Sequence, residues 1–175
     1  MKRKVSLVAA ALLLAISSAT PVFAATGKVI SCAGIVHVAA AKKETALPCL
    51  DGGAGLTFQS LRGPVVVNVW GSWCGPCIEE IPHFRALAAK NKVRIVGIDV
   101  EERNMAGGRK FVLSHGMTWP ILFDPDGRTK GIFGLGVPVT WFIDANGKVT
   151  YKQIGTIHSD KALFDLVSKN LGIKI

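Results

Sequence analysis

Two cysteines separated by two residues, Cys74-Gly75-Pro76-Cys77, are the part of this 175-residue chain best suited to chemistry. A Cys-x-x-Cys pair exchanges electrons with other thiols and disulfides, or holds a soft metal. What precedes it suggests how the pair is positioned. Val65–Val69 is β-branched except for Asn68, which predicts a strand covered on both faces. Gly71 breaks that strand. Pro76 suits the first turn of a helix, where its missing N–H has no intrahelical partner to lose. A helix is therefore expected from about Cys74 through Arg85 toward Lys90, kinked at Pro82 and ending near Asn91. A thiol at a helix N-terminus faces free backbone N–H groups and the positive end of the helix dipole, and both favour the thiolate. Cys74 is accordingly the expected attacking sulfur. Cys77, one turn further into the helix and less exposed, is the expected resolving sulfur.

Metal binding is the competing use of two such thiols. Zinc requires four ligands, and the chain has no second Cys-x-x-Cys and no His-x-x-x-His, so no metal site is assigned. A copper carrier with Cys74 and Cys77 as soft ligands stays open as a second reading. His83 would be the nearest third ligand in sequence; His37, His115 and His158 lie far along the chain.

The start of the chain bears on where this chemistry happens. Lys2, Arg3 and Lys4 precede an apolar run from Val5 to Ile16 and a Val22-Phe23-Ala24 end, the pattern of an export signal over residues 1–24. As a helix the run would be about 18 Å long, short of the ~30 Å hydrocarbon core of a bilayer. Cleavage is therefore expected, with a membrane anchor as the alternative if the signal is kept. Removing the leader leaves 18 Lys+Arg against 12 Asp+Glu, a net charge of +6. The basic residues are scattered and lack interleaved aromatics, which argues against nucleic acid. In an exported chain four cysteines allow three pairings. Spacing pairs Cys74 with Cys77, which leaves Cys32 with Cys49 as a structural crosslink worth about 3 kcal/mol by loop closure.

Residues 25–175 are expected to form one domain, with 25–60 as an N-terminal extension and 61–175 as the core. Strands are expected within Lys28–Ala39 and over Leu56–Leu61. A second buried strand spans Val93–Val100, giving a right-handed βαβ unit. Gly107 and Gly108 weaken the next helix, expected over Arg109–His115 with Gly116 as its stop. Ile121–Phe123 is a third strand, followed by an Asp124–Gly127 turn. Asn146-Gly147 between two apolar runs predicts an antiparallel hairpin. Ser159 or Asp160 caps a last helix with Leu163, Leu166, Val167 and Leu171 on one face.

With Trp73-Cys74-Gly75-Pro76-Cys77 the chain resembles the thioredoxins. Gly136-Val137-Pro138 resembles the family segment whose proline is cis and lies beside the active disulfide, and Pro82 resembles its helix-kinking proline. The Met105–Phe123 stretch, Val137–Asp144 and the signal together resemble the TlpA/ResA-like branch of exported thiol-disulfide oxidoreductases, over about residues 47–172. The resemblance implies an α/β fold of the thioredoxin type, a central mixed sheet flanked by helices with an inserted α-β element. It implies exchange with the thiols or disulfides of substrate proteins outside the cytoplasm, no bound cofactor, a membrane redox partner for recycling, and a monomer. It further implies substrate contacts at Trp73, Gly75, Pro76, Val137 and Pro138. Trp73 reads equally as core, and Pro138 as a plain turn proline. Asn68 stands where cytoplasmic thioredoxin has a buried aspartate. By spacing alone Glu80 is an ordinary exposed helix residue like Glu79; the resemblance makes it a proton acceptor for Cys77. The Gly75-Pro76 dipeptide is that of reducing thioredoxins, so a reductant of the cytochrome c maturation type is expected, with an oxidase or isomerase of secreted proteins as the alternative.

Overall fold

A computed structural model describes residues 26–40, 46–134 and 136–175. The proposed signal, residues 1–24, lies outside the described residues. The elements are β1 (Val65–Trp70), α1 (Gly75–Lys90), β2 (Arg94–Val100), α2 (Met105–Ser114), β3 (Ile121–Asp124), α3 (Lys130–Phe133), β4 (Val139–Ile143), β5 (Val149–Ile154) and α4 (Asp160–Leu171). One mixed sheet runs in the order β3-β2-β1-β4-β5, with β1, β2 and β3 parallel and β4 and β5 antiparallel. This is the thioredoxin-like α/β fold that the sequence implied.

Every residue of β1 is buried, as its β-branched run requires of a central strand. Its side chains divide between two apolar layers. Val66 and Trp70 join the buried residues of α1, α2 and α4, among them Phe84, Leu87, Phe111, Leu163 and Val167. Val65, Val67 and Val69 face the other layer, where Cys32, Ile35, Leu47, Phe58 and Leu61 of the N-terminal segment cover the sheet. Trp70 stacks on Phe111 with ring centroids 4.8 Å apart, a contact worth about 1 kcal/mol beyond its area.

The N-terminal segment departs from the strands expected there. Lys28–Ala39 and Leu56–Leu61 form isolated bridges, Ile30 to Pro120, His37 to Leu61 and Leu47 to Leu56, and two short 3-10 turns, Cys32–Gly34 and Phe58–Ser60. Ser31 and Thr57 accept hydrogen bonds from backbone N–H groups within those turns, competing with an extended ladder. Further on, Leu50 N donates to Ile121 O at 2.8 Å and Phe123 N to Pro48 O at 2.8 Å, so Pro48–Leu50 pairs along the outer edge of β3. Cys32 and Cys49 are joined, with Cα atoms 5.9 Å apart, and both are buried.

Helix α2 begins at Met105, four residues ahead of the expected Arg109. Asn104 supplies the cap, its side chain accepting from Gly107 N at 3.0 Å. Gly108 is glycine because a Cβ there would collide with Asp99 Oδ2 and press on Leu50 Cδ1. Close packing therefore outweighs the poor helix propensity of the two glycines. Gly116 has φ +68 just after the helix, in keeping with its expected role as a stop. The hairpin turns at Gly147, φ +85, and Ser159 caps α4 by accepting from Ala162 N. Among the described residues no helix is long and apolar enough to cross a membrane.

Candidate functional site

The central strand ends at Trp70, and the chain turns through Gly71–Trp73 into α1. Gly71 leaves room for the Trp73 indole, which would otherwise meet a Cβ at 2.6 Å. Cys74 is the N-cap of α1 with extended backbone (φ −91, ψ 100). Its Sγ accepts from Cys77 N at 3.2 Å, so a main-chain donor of the first turn points at this sulfur. Cys74 and Cys77 are disulfide-bonded, with Cα atoms 5.2 Å apart. Gly75 and Pro76 between them are exposed, whereas Cys74 is 4% and Cys77 1% exposed. Both sulfurs are thus tucked beneath a surface rim.

Trp73 is 56% exposed and so is not core. Its Nε1 donates to Val100 O at 3.3 Å, which fixes the indole across the ends of β1 and β2. The Val137-Pro138 peptide is cis, Pro138 is buried, and Val137 packs partly buried against both apolar layers, including the one that holds Cys74 and Cys77. A second cis bond, Gly63-Pro64, had no signal in the sequence.

Glu80 lies fully buried, unlike its exposed neighbour Glu79. Asn68 Nδ2 donates to its Oε1 at 2.8 Å and Ile157 N to its Oε2 at 3.2 Å. Burial pushes the carboxyl up from 4.5 to about 7, against the downward pull of the Ile157 and Asn68 hydrogen bonds. A group poised there can take and return a proton near neutrality. Asn68 cannot titrate, so in this pair the proton belongs to Glu80 alone.

Asp99 is a further acid that motif reading passed over. It is 0% exposed, sits opposite Trp70 in the β1–β2 register, and neither carboxylate oxygen has a hydrogen-bond partner. Burial, and secondarily the charge of Glu102, push it up from 3.8 to about 8. The signal was present: Asp99 is the one acid inside the apolar run Ile95–Val100. His83, the nearest third ligand for a metal in sequence, has its Nδ1 2.6 Å from Asp160 Oδ1. Among the described residues no three His, Cys, Asp or Glu side chains cluster to hold a metal ion.

Comparison with known proteins bears on what this arrangement does. A family model described as the AhpC/TSA family matches residues 38–152. The thiol-disulfide oxidoreductase ResA of Bacillus thuringiensis (strain Al Hakam) is 34% identical over 108 residues, 59% of this chain and 62% of its own length. Thiol:disulfide interchange protein DsbE of Pseudomonas fluorescens biotype C is 38% identical over 113 residues, 63% of each chain. The match thus spans less than two thirds of these relatives. Among solved structures, a thiol:disulfide interchange protein DsbE from Chlorobium tepidum aligns with a TM-score of 0.62 at 30% identity, covering 74% of this chain and 94% of that one. A secreted Mycobacterium tuberculosis disulfide oxidoreductase homologous to E. coli DsbE aligns at 0.61 and 25% identity, covering 72% and 96%.

Proposed function

The chain belongs to the AhpC/TSA family, and from that premise we propose that it is an extracytoplasmic thiol-disulfide oxidoreductase that reduces disulfides of substrate proteins through Cys74 and Cys77. The observation that carries this reading is the Cys74 N-cap, its Sγ accepting from the Cys77 N–H and bonded to Cys77, on the same helix as a buried Glu80 raised to about 7. In the reduced protein the Cys74 thiolate attacks one sulfur of a substrate disulfide. The S–S bond breaks, the leaving thiolate takes a proton, and a mixed disulfide forms. Glu80 then accepts the Cys77 proton, and the Cys77 thiolate attacks Cys74 Sγ. The substrate leaves as a dithiol, and the protein is left with the Cys74–Cys77 disulfide. A thiol-bearing membrane partner returns two electrons.

Substrate docking is assigned to the rim formed by Trp73, Gly75 and Pro76 and to the Val137-Pro138 backbone, where an extended segment can add hydrogen bonds as a short strand. Residues 1–24 are proposed as the export signal and 25–175 as one monomeric domain. Relatives named thiol-disulfide oxidoreductase and thiol:disulfide interchange protein support the exchange chemistry, and the Gly75-Pro76 dipeptide is the basis for proposing a reductant of the cytochrome c maturation type.

Direction is tested by the reduction potential of Cys74–Cys77 in glutathione or dithiothreitol buffers. A value near or below about −250 mV is expected for a reductant. A value of about −120 to −180 mV would overturn that direction and make the protein a disulfide-forming oxidase or isomerase. Stoichiometric Cu(I) binding by the reduced protein, without exchange activity, would favour a copper carrier instead.

A further inference from the structure

At the end of the sheet opposite the disulfide lies a cleft of about 510 Å³. Ile30–Val36 of the N-terminal segment forms one wall, and the last turn of α1 with Asn91–Val93 forms the other. The starts of β1 and β2, at Val65 and Ile95, floor it with buried apolar side chains. Its size falls within the roughly 300–1,000 Å³ of small-molecule sites, which are likewise mostly apolar with a few placed polar groups. Along β1 the cleft is about 17 Å from Trp70, where the chain turns toward Cys74.

Three cations meet at this cleft, although Arg62 is separated from Lys92 and Arg94 by a whole strand and helix. The Arg62 guanidinium donates to the carbonyls of Gln59, Ser60 and Leu61 at 3.1, 3.3 and 2.8 Å, and Arg94 Nη2 donates to Gly63 O at 3.3 Å. Main-chain carbonyls orient these groups without cancelling their charge. No lining residue is acidic, and among the described residues none of the three cations is in an ion pair. An apolar slot with a fixed cationic rim suits an anionic head carried on hydrocarbon, and arginine suits the oxygens of a phosphate.

One further observation favours a membrane lipid as the source of that head group. Val36 and Val38 stand 41% and 42% exposed beside the cationic rim, on the stretch whose backbone pairs with Ser60–Arg62. Exposed apolar side chains next to cations are what an interfacial surface presents to anionic lipid.

We propose that this cleft binds the phosphate head and proximal acyl chain of an anionic membrane phospholipid, so that the domain rests on the leaflet with Cys74–Cys77 directed away from it. The site is independent of the thiol chemistry, and its test does not depend on exchange activity. The full chain is titrated with dihexanoylphosphatidylglycerol, which is soluble below its micelle concentration, while the Trp119 indole N–H resonance is followed; Trp119 lines the cleft. A saturable shift is expected, with little response to dihexanoylphosphatidylcholine or inorganic phosphate. In the double variant Lys92→Gln/Arg94→Gln, binding should weaken about 30-fold, at about 1 kcal/mol per cation facing an anionic head. Unchanged thermal unfolding would establish that the variant is folded. An equal shift with inorganic phosphate would overturn the lipid assignment in favour of a free anion. An equal shift with the choline lipid would overturn the role of the cations. No shift, or full binding by the double variant, would overturn the site itself.

Discussion

Glu80 and Ile157 are 77 residues apart, yet the Ile157 N–H meets the Glu80 carboxylate at 3.2 Å. That bond ties the helix carrying Cys77 to the loop between β5 and α4. The same carboxylate takes the Asn68 amide from β1, so three elements converge on one titrating group three residues past Cys77 on α1.

Glu80→Gln keeps the shape and can still accept from Asn68, but it cannot move a proton. The rate of disulfide exchange as a function of pH should lose its inflection near 7, and the rate at pH 7 should fall about 100-fold or more. Stopped-flow Trp fluorescence across pH 5–9 checks this. A profile matching the parent would remove Glu80 from the mechanism.

The two raised carboxyls also make stability fall with pH. A carboxyl whose pKa is higher folded than unfolded binds more protons in the native state. Its penalty is absent below the unfolded pKa, grows as pH rises, and is complete above the folded pKa. Glu80 therefore weakens the fold between pH 4.5 and about 7, and Asp99 between 3.8 and about 8. For Glu80 the cost is up to about 3 kcal/mol. Urea unfolding at pH 5 and pH 8 should show the protein more stable at pH 5. Asp99→Asn should shrink that difference.

Gly108→Ala reverses the usual rule for helices. Alanine normally gains about 1 kcal/mol over glycine in a helix interior. Here the new methyl meets Asp99 Oδ2 and Leu50 Cδ1, so the variant should lose about 1–3 kcal/mol. Chemical denaturation measures the sign directly.

Replacing Cys32 and Cys49 together with serine should cost about 3 kcal/mol of unfolding free energy while leaving the potential of Cys74–Cys77 in place. A shift in that potential would show that the crosslink is coupled to the active pair.

Substrate capture is the most direct check on the roles of the two sulfurs. Cys77→Ser should accumulate a mixed disulfide through Cys74, visible by mass spectrometry on a disulfide-bearing peptide. Cys74→Ser should form none.

Local patterns carried most of the fold. The β-branched run before Cys74, the Asn146-Gly147 turn and the Ser159 cap each encode their geometry within a few residues, and each appears where the sequence places it. What escaped depends on distant neighbours. Gly107-Gly108 reads as a helix breaker until Asp99 and Leu50 are seen to fill the space above Gly108. The burial of Glu80 could not be read either, because Asn68 and Ile157 reach it from other elements. At the N-terminal end, strands are expected within Lys28–Ala39 and over Leu56–Leu61, but the backbone partners of these stretches are scattered along the chain. The same blindness applied to the cationic cleft, where Arg62 joins Lys92 and Arg94 only after folding.

The pairing of Pro48–Leu50 along β3 has one more consequence. A sheet whose outermost strand shows bare N–H and C=O groups invites another chain to add on, and this sheet has two margins. At β5, Lys148 and Lys152 discourage such growth with charge. At β3 the chain covers its own margin, and Cys32 fastens Cys49 within that cover. In a reducing compartment the fastening would open and leave that cover held on β3 by its backbone hydrogen bonds alone, so the margin is guarded twice only where the disulfide persists.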